Sequence, residues 1–453
     1  MSEKTDPQRM EKIVSLCKRR GFIFQSSEIY GGLNGCWDYG PLGVELKRNL
    51  KDYWWRVMVR ERDDVVGMDG AILMNRAVWK ASGHEETFSD PMIDCRTCKT
   101  RLRVDQLTEK NGVRQCPNCG GKDLTEPRAF NLMFKTFIGA TEDENSVTYL
   151  RPETAQSIFV QFKNVLDTAR KKLPFGIAQI GKAFRNEINP RNYIFRSREF
   201  EQMELEYFCR PEQGMELLEY WKEERIKFYE NIGIPRDKLH VLTVPDADRA
   251  FYSKGTYDIE YEFPFGRQEL EGVAYRTDYD LKQHQEASGK PLDYFDEETK
   301  QRFIPHVVEP SAGVDRTVLA LLCNAYDEET VTDEKGKSET RIVMRFHSRM
   351  APVKVGIFPL LKNNEQLVAK AREIQAALRT HMNVFYDETG AIGRRYRRQD
   401  EAGTPFGITV DFETLGEKDA TLLDTVTLRH RDSMKQERVK ISELLSVLLP
   451  LVQ

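Results

Sequence analysis

Apolar residues recur every three to four positions over 10–18, where Met10, Ile13, Val14 and Cys17 share one helical face. The same spacing returns from Val44, where Leu46, Leu50, Tyr53, Trp54 and Val57 predict a helix to about Arg60 with a broad aromatic face. Between the two, residues 21–24 and the Gly31-Gly32 turn break the pattern. Residues 129–139 have the apolar density of a strand, and 149–164 read as a helix opening on Pro152-Glu153-Thr154, with a proline early and an acid in the first turn. Residues 177–184 and 203–208 are predicted antiparallel strands on either side of a charged loop, and 268–277 alternates acid, apolar and basic residues. The chain then turns through Pro310 and Gly313 into a helix with Val314, Val318, Leu319 and Leu322 on one face and Arg316 in its first turn. An acidic stretch over 327–340, turning at Lys335-Gly336, reads as a surface hairpin or linker at a domain boundary.

Beyond Pro352 the pattern changes. Strands over 353–358, 383–386 and 406–411 alternate with a helix over 365–378 and a basic helix-like stretch, which implies an α/β sandwich with largely parallel strands. No G-x-G-x-x-G accompanies them, so a dinucleotide site is not indicated. Arg394, Arg395, Arg397 and Arg398, interrupted by Tyr396, form a basic cluster that reads either as a solvated helix face or as a surface for phosphates and stacked bases.

With 453 residues the chain exceeds what one hydrophobic core usually supports, so two or three domains are expected. Hydrophobic residues at 40% and charged residues at 31% are those of an ordinary globular protein, and no stretch reaches the roughly 20 apolar residues of a membrane span. The opening MSEKTDPQRMEK is too polar for a secretion signal, so the expected compartment is the cytoplasm. A net charge of -4 argues against indiscriminate binding of nucleic acid and confines any RNA contact to local patches.

Four of the eight cysteines follow the spacing C-x-x-C, seventeen residues, C-x-x-C: Cys95, Cys98, Cys116 and Cys119, with Pro117 and Gly120 bending the second pair. Two such knuckles suit a tetrathiolate zinc ion, structural because no coordination position stays open. The segment between them is too poor in apolar residues for a core of its own and would be folded by the metal. A pair of disulfides is the alternative, disfavoured in a reducing compartment. Cys17, Cys36, Cys209 and Cys323 stand singly and read as ordinary thiols.

Two segments carry the chemistry. FRNEINPRNYIFRSREFEQME, over 184–204, gathers Arg185, Arg191, Arg196 and Arg198 with Glu187, Glu199, Glu201 and Glu204 around Asn189-Pro190. VEPSAGVDRTVLALL, over 308–322, places Glu309 and Arg316 on either side of a helix start. Charge of both signs at that density is costly unless a ligand uses it. The first segment resembles the second signature motif of class II aminoacyl-tRNA synthetases. E-P-S-x-G-x-D-R resembles their third, in its glycine-specific form, and Tyr39-Gly40-Pro41-Leu42-Gly43 with the helix after it stands as the first. The resemblance runs from about Gly21 to the C-terminus and is closest to the dimeric glycyl type.

The resemblance implies an α+β catalytic domain on an antiparallel sheet flanked by helices, a zinc-ribbon-like insert and a C-terminal α/β anticodon-binding domain. The expected divisions are 1–92 with the first motif, 93–127 for the insert, 128–345 for the core and 346–453 for the last domain. It implies ATP and magnesium, the substrate glycine, the partner tRNA(Gly), and a homodimer with the aromatic face of the first-motif helix at the subunit interface. For ATP, Arg185 would grip the α-phosphate and the reacting carboxylate, Arg196 the triphosphate and Arg316 the far phosphate. Glu187 would read the adenine amino group and Phe200 stack on the ring. Glu269 would hold magnesium with help from Glu309, and Leu270 would give a backbone contact. Asn186, Phe195, Ser197, Arg198 and Glu199 from the second motif, and Gly313, Val314 and Asp315 from the third, complete that set. For glycine, Glu153, Glu204, Glu309 and the Ser311 hydroxyl would surround the ammonium, while Arg276 and Arg103 bind the carboxylate or order its neighbours. Phe200, Glu201, Gln202, Met203, Pro310, Ala312 and Gly313 would form the surrounding wall.

On composition alone these carboxylates could equally pair with the nearby arginines. Three other readings stay open at this level: a silent paralogue that binds RNA, a class II synthetase for serine, proline or alanine, and a zinc-dependent nucleic-acid-binding protein. Retention of Arg185 and Arg316 speaks against the first. Glu309 to Gly313 speaks for glycine against the second, and the third leaves both arginine motifs unexplained.

Overall fold

In a computed structural model of the chain, residues 5–110, 112–250, 252–332, 336, 338–417 and 419–453 are described. Helix α1, Pro7–Arg20, starts where Asp6 accepts from the Arg9 amide at 3.0 Å with Pro7 at its first turn, and stops where Gly21 takes φ 76°. Helix α2, Pro41–Trp55, runs on into a π-helical turn, Arg56–Arg60. Its Leu46, Leu50, Tyr53 and Trp54 are all buried in the chain's own core, and Tyr53 stacks on Phe228 at 5.8 Å. The aromatic face expected at a subunit interface is therefore spent inside the chain, because four aromatic and aliphatic side chains at that spacing find an apolar partner in a neighbouring helix first.

Seven strands form the central sheet: Val65–Gly67 (β1), Phe175–Phe184 (β2), Glu199–Cys209 (β3), Leu239–Thr243 (β4), Gly255–Phe263 (β5), Gly266–Thr277 (β6) and His306–Gly313 (β7). Their order is β4-β5-β6-β7-β3-β2-β1, antiparallel throughout except for β1, which runs parallel to β2. The β2–β3 register is unbroken from Phe175↔Phe208 to Phe184↔Glu199. Alternation sorts the faces of β3. Met203, Leu205, Tyr207 and Cys209 enter the main core with α2, Gly214–Asn231 (α4) and Val314–Ala325 (α6), once Ala155–Ala169 (α3) and Tyr279–Ser288 (α5) are assigned to the other face, where Phe208 meets Phe159 and Phe162. Trp54 and Trp221 are each almost wholly buried, and side chains of that size contribute about 3 kcal/mol apiece.

Three expectations shift here. Glu153 lies ahead of α3, whose N-cap is Thr154, so it is a loop carboxylate and not a first-turn acid. Pro310 does not turn the chain. It sits inside β7, at a place where the ladder to β3 pairs Ser311 with Glu204 and Val308 with Tyr207 but leaves Glu309 and Pro310 without a partner. A residue lacking an amide hydrogen is tolerated where that hydrogen is not needed. The strand expected over 129–139 is likewise two, Arg128–Asn131 and Lys135–Phe137.

The acidic stretch is a hairpin, Tyr326–Thr332 (β8) against Ser338–Met344 (β9); Lys335 of the expected turn lies outside the described residues. It is no free linker. Arg341, fully buried, bonds Asp400 at 2.9 Å and the Arg431 carbonyl at 2.7 Å, which pins it to Ile392–Ala402. The second core lies around Val355–Pro359 (β10), Val384–Tyr386 (β11), Phe406–Val410 (β12), Thr425–His430 (β13) and Gln436–Lys440 (β14), in the order β11-β10-β12-β13-β14. Three of these strands are parallel as expected, and a closing antiparallel pair, β13 and β14, was not anticipated. The basic cluster faces inward more than outward. Arg395 is buried on the Gly390 and Pro359 carbonyls, Tyr396 bonds Thr409 at 2.7 Å under Phe358, and Arg397 and Arg398 pair with Glu339 and Asp387. That arrangement removes Tyr396 as a base-stacking surface and leaves Arg394 exposed.

Candidate active site

An open cavity of about 370 Å³ lies over the face of the sheet that carries Phe200, Gln202 and Glu204 of β3. Its two ends differ in charge. At one end, the β2–β3 loop folds back so that the Arg185 amide donates to the Arg198 carbonyl at 2.8 Å, while Arg198 Nε donates to the Glu187 carbonyl at 3.0 Å. The Arg185 guanidinium is held between the rings of Phe88 and Phe200, 5.3 Å from each, with Nε on the Pro152 carbonyl. Arg316, from the first turn of α6, lies 4.5 Å over the Phe195 ring and reaches Glu269 Oε2 at 3.1 Å. Arg196 approaches Glu187 at 3.9 Å. Burial lowers its pKa, against the opposing carboxylate of Glu187, and Arg103, Arg191 and Arg316 push the same way. So many guanidinium groups close together repel one another until a polyanion arrives.

At the other end carboxylates crowd. Glu204 accepts from the Ser311 hydroxyl at 2.9 Å and from Thr154, and is almost fully buried. Burial, with Glu309 and Glu153 nearby, pushes its carboxyl up to about 8. Glu309 is raised by burial and by Glu153, although Arg276 works against both. Glu153 goes the other way. Its burial is outweighed by His84 at 3.2 Å, and by Arg276 and Gln156, so its carboxyl stays well below the usual range. Arg276 is occupied on three sides, by Asp280 at 2.8 and 2.9 Å and by Glu309 at 2.8 Å, over the ring of Tyr252. It holds acids in place and has little left for a substrate carboxylate.

The structure brings together Glu153, Arg185, Glu187, Phe195, Arg196, Ser197, Phe200, Glu201, Gln202, Glu204, Glu269, Leu270, Arg276, Glu309, Ser311, Gly313, Asp315 and Arg316 as cavity wall. It does not bring the others there. Met203, Ala312 and Val314 belong to the core, and Pro310 is buried within β7. The amide of Asn186 bonds the Leu132 carbonyl, Arg198 bonds the Asn34 carbonyl, Glu199 pairs with Lys182, and Arg103 pairs with Asp90 at 3.0 Å. Glu201 and Asp315 face the cavity but are spent on scaffolding. Lys47 joins both, at 2.7 and 2.9 Å, while Asp315 also takes the Tyr39 hydroxyl at 2.5 Å and the Glu201 amide at 2.7 Å. The three signature segments therefore meet on one carboxylate.

Glu269 and Glu309 cannot share one ion. Glu309 stands opposite Ala274, five residues along β6 from Glu269, which is about 16 Å of strand. Asp258 is the acid that approaches Glu269: a side-chain carbon built at Gly272 would lie 3.8 Å from Glu269 Oε1 and 3.9 Å from Asp258 Oδ1. Burial beside Glu269 and Glu260, eased by Arg316, pushes Asp258 up to about 7. The neighbouring carboxylates of Asp258 and Glu269 offer hard oxygens that fit magnesium, which takes one or two carboxylates and fills its sphere with phosphate and water. Asp258, Tyr252, Asp280 and His84 were not anticipated, since none of them lies in a signature segment. Only the acid–apolar alternation of β5 offered a signal for Asp258.

The four paired cysteines do converge. Sulfur atoms of Cys95 and Cys119, and of Cys98 and Cys116, lie 3.7 Å apart, and all four fall within 4.8 Å of one another. Zinc–sulfur bonds of about 2.3 Å in a tetrahedron require sulfurs about 3.8 Å apart, so the donor set fits zinc.

The class II tRNA synthetase core domain (G, H, P, S and T) matches residues 134–325, and an anticodon binding domain matches 354–451. Over 96% of its length the chain is 53% identical to a glycine–tRNA ligase of Treponema denticola, covering 96% of that protein. It is 52% identical to those of Thermobifida fusca and Clostridium perfringens, over 96% and 97% of both chains. With that identity along nearly the whole chain, and with its three signature segments joined at Asp315, the chain belongs to the glycine–tRNA ligase family of class II aminoacyl-tRNA synthetases.

Proposed function

We infer that the chain activates glycine with ATP and transfers it to the 3′ end of tRNA(Gly). The observation that carries this reading is the polarity of the cavity, guanidinium groups at one end and buried carboxylates at the other. Glycine would lie with its ammonium among Glu153, Glu204 and Glu309 and its carboxylate toward Arg185. One carboxylate oxygen attacks the α-phosphorus of ATP, the bond to the β-phosphate breaks, and pyrophosphate leaves. No general base is needed, because the attacking carboxylate is already ionised.

Arg185, fixed between two rings, is placed for the α-phosphate and the carboxylate at once, and Arg196 and Arg316 for the phosphates beyond. Asp258 and Glu269 would hold magnesium, which supplies charge neutralisation along those phosphates. A 2′- or 3′-hydroxyl of the terminal ribose then attacks the glycyl carbonyl and releases AMP. Selection of glycine rests on exclusion, since a hydrogen-bonded floor at Glu204 and Ser311 leaves no room for a side chain to displace it.

The insert would be held by zinc, and the last domain would take the anticodon. A homodimer belongs to the same reading. With the α2 face buried, the apolar surface that supports it is the loop with Ile29 at 89% and Tyr30 at 88% exposure, beside Leu33. Cytoplasmic residence follows from work in translation; no helix among the described residues is long and apolar enough to cross a membrane. Exchange of pyrophosphate into ATP with glycine, alanine, serine and proline in parallel tests the reading. Exchange with glycine alone is expected, and exchange with none of them, tRNA present or absent, would overturn it.

A further inference from the structure

Glu206 lies two residues beyond Glu204 on the same face of β3 and is wholly buried, yet neither of its carboxyl oxygens has a hydrogen-bond partner. It does not border the cavity. One of its oxygens lies within 4.8 Å of an oxygen of Glu204 and of Glu309, two of the acids that would meet the ammonium. The place is set by backbone chemistry: Glu206 stands where the β3–β7 ladder lacks pairing at Glu309 and Pro310, which keep their pairing to β6 alone. The charged groups facing it are Glu204 on its own strand, Glu309 on β7, Arg276 on β6 and Asp280 on α5. Arg276 is the one cation among these four, and it is already bound to two of the acids, Asp280 on α5 and Glu309 on β7.

An ionised carboxylate in such a place would be desolvated, unpaired and repelled by three neighbours. Burial and the adjoining Glu309 accordingly raise Glu206 well above the usual carboxylate range. A protonated acid has a hydrogen to give, and an acceptor is at hand. Both oxygens of Glu204 are engaged, by Ser311 and Thr154, whereas Glu309 is tied through Oε1 to Arg276.

We propose that Glu206 is a positioning residue for the amino-acid pocket, a neutral carboxylic acid beneath its floor that donates its hydrogen to the Glu309 carboxylate and keeps that carboxylate turned toward the substrate ammonium. This rests on the functional reading above. Glu206 touches no substrate, adds no charge to the pocket, and acts through Glu309 alone.

Glycine-dependent pyrophosphate exchange on the full chain, with Glu206→Leu and Glu206→Gln beside the wild type, decides the matter. Leucine removes the donor, so the glycine KM should rise about thirtyfold while the ATP KM stays level. Glutamine keeps a neutral donor in the same volume and should restore the glycine KM to within about threefold of wild type. An infrared band of a protonated carboxyl, moved by glycine and missing in Glu206→Gln, is expected as well. Glutamine as damaging as leucine would mean that a negative charge acts there and would overturn the proposal, as would leucine without effect. Should the leucine variant fail to fold, the glutamine KM and the infrared band still decide. Absence of exchange in the wild type would instead sink the functional reading.

Discussion

The two ends of the cavity are built by opposite means. The guanidinium end is held by flat contacts, Arg185 between Phe88 and Phe200 and Arg316 over Phe195, with few hydrogen bonds to the protein. The carboxylate end is held by two sets of short bonds, Glu204 with Thr154 and Ser311, and Arg276 with Asp280 and Glu309. Rings fix the plane of a guanidinium while leaving its donors for a ligand. A bonded network fixes shape and leaves little to adjust. The first suits polyphosphate, whose oxygens are gripped, and the second suits glycine, where discrimination means refusing a methyl group.

That contrast can be broken at several points. The largest effect is expected at Arg185→Ala, which should cut the exchange rate about 10³-fold, roughly 4 kcal/mol, at saturating glycine and ATP. A loss below tenfold would show that the stacked guanidinium is scaffold. Arg276→Lys comes next. A point charge cannot bridge Asp280 and Glu309 in a plane, so the glycine KM should rise about 10²-fold with the ATP KM unmoved. Equal rises in both would erase the division between the ends.

A smaller effect follows from Glu204. Its folded carboxyl titrates near 8, above its ordinary value, so the folded state keeps a proton there that the unfolded state has lost. Unliganded stability from this group is present below the ordinary carboxylate range, falls as pH rises toward 8, and levels beyond. An ammonium prefers the ionised form, so the glycine KM should fall by up to about tenfold per pH unit below 8 and then flatten. A flat profile, or one unchanged in Glu204→Gln, would refute this. Least disruptive should be Asp258→Asn, for which about fivefold more magnesium should be needed for half-maximal exchange, with the glycine KM constant. A shift in the glycine KM would place Asp258 at the wrong end.

How much of each end was legible in sequence follows from how each is assembled. The guanidinium end comes largely from two continuous segments, so its arginines could be read off the chain, and the strands flanking them showed as apolar runs. The carboxylate end draws single residues from positions 84, 153, 204, 252, 276, 280 and 309. Only Glu204 and Glu309, inside signature segments, and Glu153 and Arg276, in the stretches 149–164 and 268–277, had any local mark. Tyr252, ahead of β5, and Asp280, on α5, acquire meaning only when the fold brings them against Arg276 of β6. Two misreadings have the same origin. Pro310 signals a turn in one dimension, but the sheet offered it a site unpaired on its β3 side. The aromatic stripe of α2 was correct as a face and wrong as to its partner, because periodicity says that a face is buried without saying in what.

Asp315 carries a consequence for how the enzyme comes into being. Lys47 and Asp315 are 268 residues apart in the chain. At about 5 to 20 residues per second on the ribosome, Lys47 waits roughly 13 to 54 s for its partner to be made. Through that interval the nascent first-motif helix is complete in sequence but has neither the carboxylate nor the α6 surface it docks on. Activity is therefore a late event in biosynthesis, and any product that stops before residue 315 is a charged, unsealed fragment with every reason to be caught by chaperones.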